Sequence, residues 1–260
     1  MKAKVRREYI ADLVQSRELS VHELAERFGI TTSTIRRDLA QLASEGRLLR
    51  TLAGAAPQSA ETEDEYSIRQ MQSALEKRSI AFAARRLVRD GSVIYIDAGT
   101  TCTALAEELV KFESLLVVTP STSVVRALTG KAGIDVEMLG GRYRAISQAC
   151  YGTASTAQLE QYVFDAVFTS ADEISIEHGL REESAEQIDA KSAAFRRGRD
   201  VFVLADSSKF ASTPRAGRWL MIPEGATVIS DAPSPAALAQ RPSLGWKQAE
   251  LLSAEKSRSL

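Results

Sequence analysis

Between residues 93 and 229, six short runs rich in β-branched residues alternate with stretches long enough for helices, and this alternation restricts the fold more than any other feature. The runs are 93–96, 115–119, 134–139, 164–169, 201–205 and 227–229, with helical stretches at about 103–111, 121–129, 155–162 and 184–197. Strand-helix alternation predicts an α/β domain built on a doubly wound, largely parallel sheet. In such sheets ligands sit beyond the carboxyl ends of the strands.

The first 57 residues follow a different rule. Tyr9, Ile10, Leu13 and Val14 share one helical face. Val21, Leu24, Ala25 and Phe28 repeat the i, i+3, i+4, i+7 pattern after a Ser20 N-cap, and Gly29 ends that helix. Thr31 or Thr32 caps a third, with Ile35, Leu39 and Leu42 on one side. Three short amphipathic helices with a glycine turn before the last predict a helix-turn-helix.

At ~100° per residue, Ser33, Arg36, Arg37, Ala40 and Ser44 face away from Ile35, while Asp38 lies toward the core edge. A small, polar, cationic face suits a major groove, where Arg donates to guanine or grips phosphate. Arg47-Leu48-Leu49-Arg50-Thr51-Leu52 is short, partly alternating and ends at Ala53-Gly54, the pattern of a β-wing whose Arg47 and Arg50 contact phosphate. The candidate DNA contacts are Thr31, Thr32, Ser33, Thr34, Arg36, Arg37, Arg47 and Arg50. The competing reading is a three-helix protein-interaction module whose arginines are merely solvated.

Charge agrees with the division. The chain carries a formal −1, but residues 1–57 hold ten Lys/Arg against seven Asp/Glu, a net of +3, leaving 23 against 27, or −4, elsewhere. Any basic field is therefore local to the N-terminal module. Two cysteines and two widely separated histidines lack the spacing of a structural zinc site. No run approaches the ~18 apolar residues of a membrane span, so the expectation is a cytoplasmic protein without a membrane partner.

The string Ile30-Thr31-Thr32-Ser33-Thr34-Ile35-Arg36-Arg37-Asp38-Leu39, followed by Glu45-Gly46 and Leu49-Arg50, resembles the N-terminal signature of the DeoR family of bacterial regulators. Leu52-Ala53-Gly54-Ala55 stands where that family usually has His-Gly-Gly-Ala.

The strand ends of the larger domain hold its distinctive residues. Asp97-Ala98-Gly99-Thr100-Thr101 joins a strand to a helix, and its glycine turn and exposed N–H groups suit an anion. Thr119-Pro120-Ser121-Thr122, Gly140-Gly141-Arg142 and Asp206-Ser207-Ser208-Lys209 stand at later strand ends. Capping and surface charge explain any one of these alone. Together, with Asp97 and Asp172 accepting from hydroxyls, they form a candidate site for a polyhydroxy phosphate. Cys102 in the first turn is either a reactive thiol or a small packed residue. No Walker or Gly-x-Gly-x-x-Gly fingerprint is present, and no cofactor is implied.

In order, Asp97-Ala-Gly-Thr-Thr, Val118-Thr119, Leu139-Gly140-Gly141 and Asp206-Ser-Ser-Lys-Phe look like landmarks of the DeoR effector domain, extending the resemblance over roughly residues 4–232. The resemblance implies a domain related to sugar-phosphate isomerases and a phosphorylated sugar or sugar derivative as effector. It brings Lys191 into the candidate site. Pro120 replaces a common Asn, Gln187 a Glu four positions before Lys191, and Asp172-Glu173-Ile174 a usual Asp-Gly-Ile. The alternative is an isomerase-like enzyme using Asp97, Asp172 or Lys191 as acid or base. The expected organisation is a winged helix-turn-helix at 1–57, a linker and connecting helix at 58–75, an effector domain at 76–235 and a helix with tail at 236–260. The expected partners are operator DNA, a phosphorylated sugar and further copies of the chain in a dimer or tetramer.

Overall fold

The computed structural model describes residues 3–14, 19–44, 48–50, 54–57, 66–210 and 213–252, and divides into two compact units, Met1–Thr62 and Glu63–Leu260.

In the first unit, α1 (Ala3–Val14), β1 (Leu19–Ser20), α2 (Val21–Phe28) and α3 (Thr32–Ser44) precede the antiparallel pair β2 (Leu48–Arg50) and β3 (Gly54–Pro57). Ser20 closes a capping box on α2 with Glu23, and Gly29 ends the helix at φ 62°, in the left-handed region that glycine tolerates. Ile10, Val14, Leu24, Ile35, Leu39, Leu42 and Leu48 form its core. Tyr9, placed by spacing with that face, is instead 56% exposed, while Ala11 is buried. Asp38 turns inward and takes a buried 2.6 Å ion pair from Arg6 Nε. β1 pairs with β3 as a third strand, so close that a Cβ on Gly54 would stand 2.0 Å from the Leu19 carbonyl oxygen. The glycine there is a steric requirement.

The second unit opens with α4 (Tyr66–Met71) and α5 (Ala74–Arg85). Then come β4 (Ser92–Ile96), α6 (Thr100–Glu108), β5 (Leu115–Thr119), α7 (Thr122–Leu128) and β6 (Ile134–Met138). A hairpin of β7 (Arg142–Arg144) and β8 (Ala149–Tyr151) leads to α8 (Thr153–Leu159) and β9 (Phe164–Thr169). β10 (Glu173–Ser175), β11 (Gly179–Glu182), α9 (Ala185–Arg197), β12 (Gly198–Leu204), β13 (Arg218–Leu220), β14 (Thr227–Ser230) and β15 (Gly245–Gln248) complete it.

The main sheet has the order β15-β14-β12-β9-β4-β5-β6, and all its pairings are parallel. Alternate residues serve opposite faces, as the two-residue period of a strand requires. Ile94, Ile96, Phe168, Leu204 and Ile229 pack into one core with α5, α6 and α7, while Tyr95, Val167, Val203 and Val228 join the other with α8 and α9. Winding begins at β4, proceeds through β5 to β6, and resumes on the opposite side at β9. The switch point therefore lies between β4 and β9, where a crevice opens at the carboxyl ends.

Two parts differ from expectation. The stretch 236–260, read as a helix with a tail, contributes one 3₁₀ turn, Ala236–Gln240, and then β15, which extends the sheet; Ala249 and Leu252 are buried, and Leu252 N donates to Ser79 Oγ at 3.0 Å. Backbone pairing and burial override a sequence without strand alternation. A small antiparallel sheet, β10-β11-β13, also forms beside the main one. Among the described residues, no helix is long and apolar enough to cross a membrane.

The Arg6–Asp38 pair yields a prediction. Removing one partner strands a buried charge, so Asp38→Ala is expected to lower the opening free energy of residues 3–44, measured by native-state hydrogen exchange, by about 3 kcal/mol. A loss under about 1 kcal/mol contradicts the assigned importance of the pair.

Candidate functional site

Two surfaces carry the chemistry. On the first unit, Ser33, Arg36, Arg37 and Ala40 are exposed along α3, opposite the buried Ile35, Leu39 and Leu42. Thr31, rather than Thr32, caps the helix: its Oγ1 lies 2.9 Å from Ser33 Oγ and 3.0 Å from Thr34 Oγ1 and accepts from Thr34 N at 3.4 Å. Thr31 and Thr34 thus engage each other at the helix start, and Thr32 is half-buried. Arg47 lies outside the described residues, and Arg50 is described only by its backbone in β2.

On the second unit, a cleft of about 480 Å³, counted to its open mouth, lies at the switch point. The turn after β4 supplies Gly99, the start of α6 Thr100 and Thr101, the loop after β9 Ser170 and Asp172, and α9 Gln187 and Lys191. Gly99 stands at φ 128°, and a Cβ there would meet Ser170 Oγ at 2.4 Å, so the turn admits only glycine. Gly99 gives α6 no side-chain cap, so no N-cap side chain takes the N–H groups of its first turn, whose Thr100 and Thr101 line the cleft.

Behind this wall lies a buried polar network. Lys191 Nζ bonds to Asp97 Oδ2, stands 3.0 Å from Glu182 Oε1, and donates to Thr169 Oγ1 at 3.0 Å and the Ser170 carbonyl at 2.6 Å. Asp97 also accepts from Thr169 Oγ1 at 2.6 Å, Tyr95 OH at 3.2 Å and Ala98 N at 2.8 Å. Burial alone would lower the Lys191 ammonium, but Asp97 and Glu182 hold it above its ordinary range. Burial pushes the Glu182 carboxyl up to about 8, the attraction of Lys191 offsetting only part of that cost. Gln187 closes a capping box with Ser184 and donates through Nε2 to Glu182 at 2.8 Å. An amide performs both tasks, whereas a carboxylate at 187 would face that of Glu182.

The structure thus brings Gly99, Thr100, Thr101, Asp172, Lys191 and Lys209 into one cleft. It corrects other expectations. Asp97 is fully buried behind the lining with both oxygens engaged, so it holds Lys191 rather than meeting hydroxyls. Thr119 accepts from Ser121 N, Ser121 caps α7, and Thr122 Oγ1 donates to the Gln148 carbonyl. Gly140 N donates to Gln158, Gly141 makes room for the Tyr151 carbonyl, and Arg142 is exposed on β7. Asp206 caps the 3₁₀ turn Ser207–Lys209 from a fully buried position. These residues shape the strand ends without lining the cleft. Cys102 is fully buried and its thiol is pushed up to about 12, first by burial and then by Asp97, so it packs.

Sequence reasoning missed Arg69, Ser147, Tyr151, Ser170, Glu182 and Gln187 in the lining. Arg69 comes from α4, with Nη1 3.5 Å from Asp172 Oδ1 and Nη2 donating to the Ile146 carbonyl at 2.8 Å. Asp172 Oδ2 is buried without a hydrogen-bond partner among the described residues.

Residues 6–61 match the DeoR-like helix-turn-helix domain, and residues 72–232 match the DeoR C terminal sensor domain. The chain belongs to the DeoR family. It is 30% identical over 246 residues to the glycerol-3-phosphate regulon repressor of Escherichia coli K12, covering 92% of this chain and 95% of that one. A putative aga operon transcriptional repressor of Escherichia coli O157:H7 is 31% identical over 208 residues, covering 79% and 77%. A solved ribose 5-phosphate isomerase from Methanocaldococcus jannaschii aligns over 53% of this chain and 54% of its own, at 20% identity and a TM-score of 0.39. As a DeoR-family member this chain is a DNA-binding transcriptional regulator, not an enzyme.

Glu182 gives a pH signature. Its carboxyl stays protonated to higher pH in the folded chain than in the unfolded one, whose ordinary value is 4.5. Its contribution is present below about pH 4.5 and lost as pH rises toward 8. Glu182→Gln is expected to flatten the fall in melting temperature between about pH 5 and 8; an unchanged slope contradicts the assignment.

Proposed function

We propose that this regulator represses genes for the uptake or breakdown of a carbohydrate, and that a phosphorylated sugar or sugar derivative in the switch-point cleft releases it from its operator. The observation that carries this reading is the pairing of opposite demands in one cleft. The uncapped first turn of α6, with Lys209 and Arg69 in the lining, calls for an anion. Asp172 Oδ2, buried and without a hydrogen-bond partner among the described residues, calls for a donor such as a hydroxyl. A phosphorylated polyol answers both. The names of the glycerol-3-phosphate and aga repressors support repression and, for the first, a phosphorylated ligand.

Ser33, Arg36 and Arg37 meet base edges or phosphates in the major groove, with Thr31, Thr32 and Thr34 at the helix start and Arg47 and Arg50 on flanking phosphates. Two or more copies in the cytoplasm place their modules on repeated half-sites, and the effector favours a domain arrangement mismatched to that spacing. A coupling of ~1–3 kcal/mol is enough for 5- to 150-fold release.

Arg37→Ala is expected to cost about 1–3 kcal/mol of operator binding by fluorescence anisotropy, with unchanged melting; undiminished affinity removes Arg37 from the recognition face. Thr100→Asp places a carboxylate at the first turn of α6. It is expected to abolish release by the effector while operator affinity persists, and release that survives contradicts the cleft assignment.

A further inference from the structure

α4, the first described helix after the DNA-binding module, is tied to the cleft by polar contacts and by the buried ring of Tyr66. Residues 58–65 separate β3 from α4, and Tyr66 is the only residue of α4 that is buried. A helix of six residues does not hold itself together, so its tethers decide where it lies. At one end, Tyr66 OH donates to Thr103 Oγ1 at 2.7 Å, and Thr103 Oγ1 donates to the Gly99 carbonyl of the cleft turn at 3.0 Å. In the middle, Arg69 enters the lining opposite Asp172. At the far end, the buried Lys77 of α5 donates to the carbonyls of Arg69 and Gln72. Between α4 and α5, Ser73 sits at φ 48°, ψ 39°, a left-handed conformation a serine rarely adopts, without capping α5 through its side chain. α4 is thus a short tethered helix on a strained joint, with one cation in the cleft.

We propose that Arg69 is a direct ligand of the anionic effector and that α4 is the element whose placement reports whether the cleft is occupied. The proposal rests on the reading of the cleft as an effector site. At 3.5 Å the Arg69–Asp172 contact is long for an ion pair, and the second Asp172 oxygen has no hydrogen-bond partner among the described residues. A phosphate offers the guanidinium a two-point acceptor that this contact does not. As Arg69 turns to the phosphate, Asp172 is released to accept from the ligand's hydroxyls. The shift draws on α4, and α4 leads through residues 58–65 directly to the module that holds DNA. A pocket cation on the sheet or on α6 would bind the same ligand without this connection.

Hydrogen exchange of the full chain, titrated with inorganic phosphate against chloride of matched ionic strength, tests the proposal. Wild type is expected to gain protection in both 97–105 and 66–72. In Arg69→Met, which keeps the aliphatic stem, the phosphate concentration for half-protection of 97–105 is expected to rise about tenfold or more. The 66–72 segment is expected to stay unprotected even when 97–105 is saturated. Arg69→Lys, retaining charge without the two-point geometry, is expected to fall between the two. Protection of 97–105 in wild type without any change at 66–72, or Arg69→Met responding as wild type in both segments, overturns the inference while leaving the effector site standing. No response of either segment in wild type overturns the effector site, and this inference with it.

Discussion

The ammonium of Lys191, with a side-chain exposure of 4%, sits between Asp97 and Glu182 and joins four parts of the sensor unit. Asp97 follows β4, Thr169 and Ser170 end β9, Glu182 ends β11, and Lys191 stands in α9. The cleft walls formed by the turn after β4, the end of β9, β11 and α9 are fastened to this one charge. Such a buried pair adds little net stability against a packed apolar alternative, because desolvation offsets most of the attraction. What it supplies is position: the Gly99 turn and the carboxyl end of β9 are held at the spacing that leaves the first turn of α6 open.

The division between the rigid wall and α4 gives the cleft two kinds of residue. Those on the sheet side are fixed by the network, and Gly99 against Ser170 leaves no room for adjustment. Arg69, on the short helix α4, meets Asp172 at 3.5 Å and the Ile146 carbonyl at 2.8 Å, polar contacts outside that network. A regulator needs both, since a ligand moves an equilibrium only by its differential affinity for two arrangements.

Much of the architecture was legible because it rests on periodicity. Leu24, Ile35, Leu39 and Leu42 fall at helical spacing, and the runs at 93–96 and 164–169 have the composition of buried parallel strands. The cleft was half legible. Gly99, Thr100 and Thr101 follow from the form of a strand-to-helix turn, but whether Asp97 faces the ligand or the interior depends on Lys191, 94 positions away, and no local pattern encodes that direction. Thr119, Ser121 and Thr122 share the composition of a binding turn because capping and anion binding draw on the same hydroxyls and N–H groups. Arg69 carried no signal, being one arginine in a short helix. β15 carried none either, since Gly245-Trp246-Lys247-Gln248 lacks alternation and is a strand through its pairing with β14.

The central claim is that the switch-point cleft takes a phosphorylated polyol. The most direct measurement is the melting of the full chain with each of a panel of phosphorylated sugars beside its unphosphorylated parent. At 100 times its Kd a bound ligand stabilises the fold by about 2.7 kcal/mol. The account predicts a shift of that order for at least one phosphorylated member and little for its parent at the same concentration. Equal shifts from both, or a shift from the parent alone, contradict it.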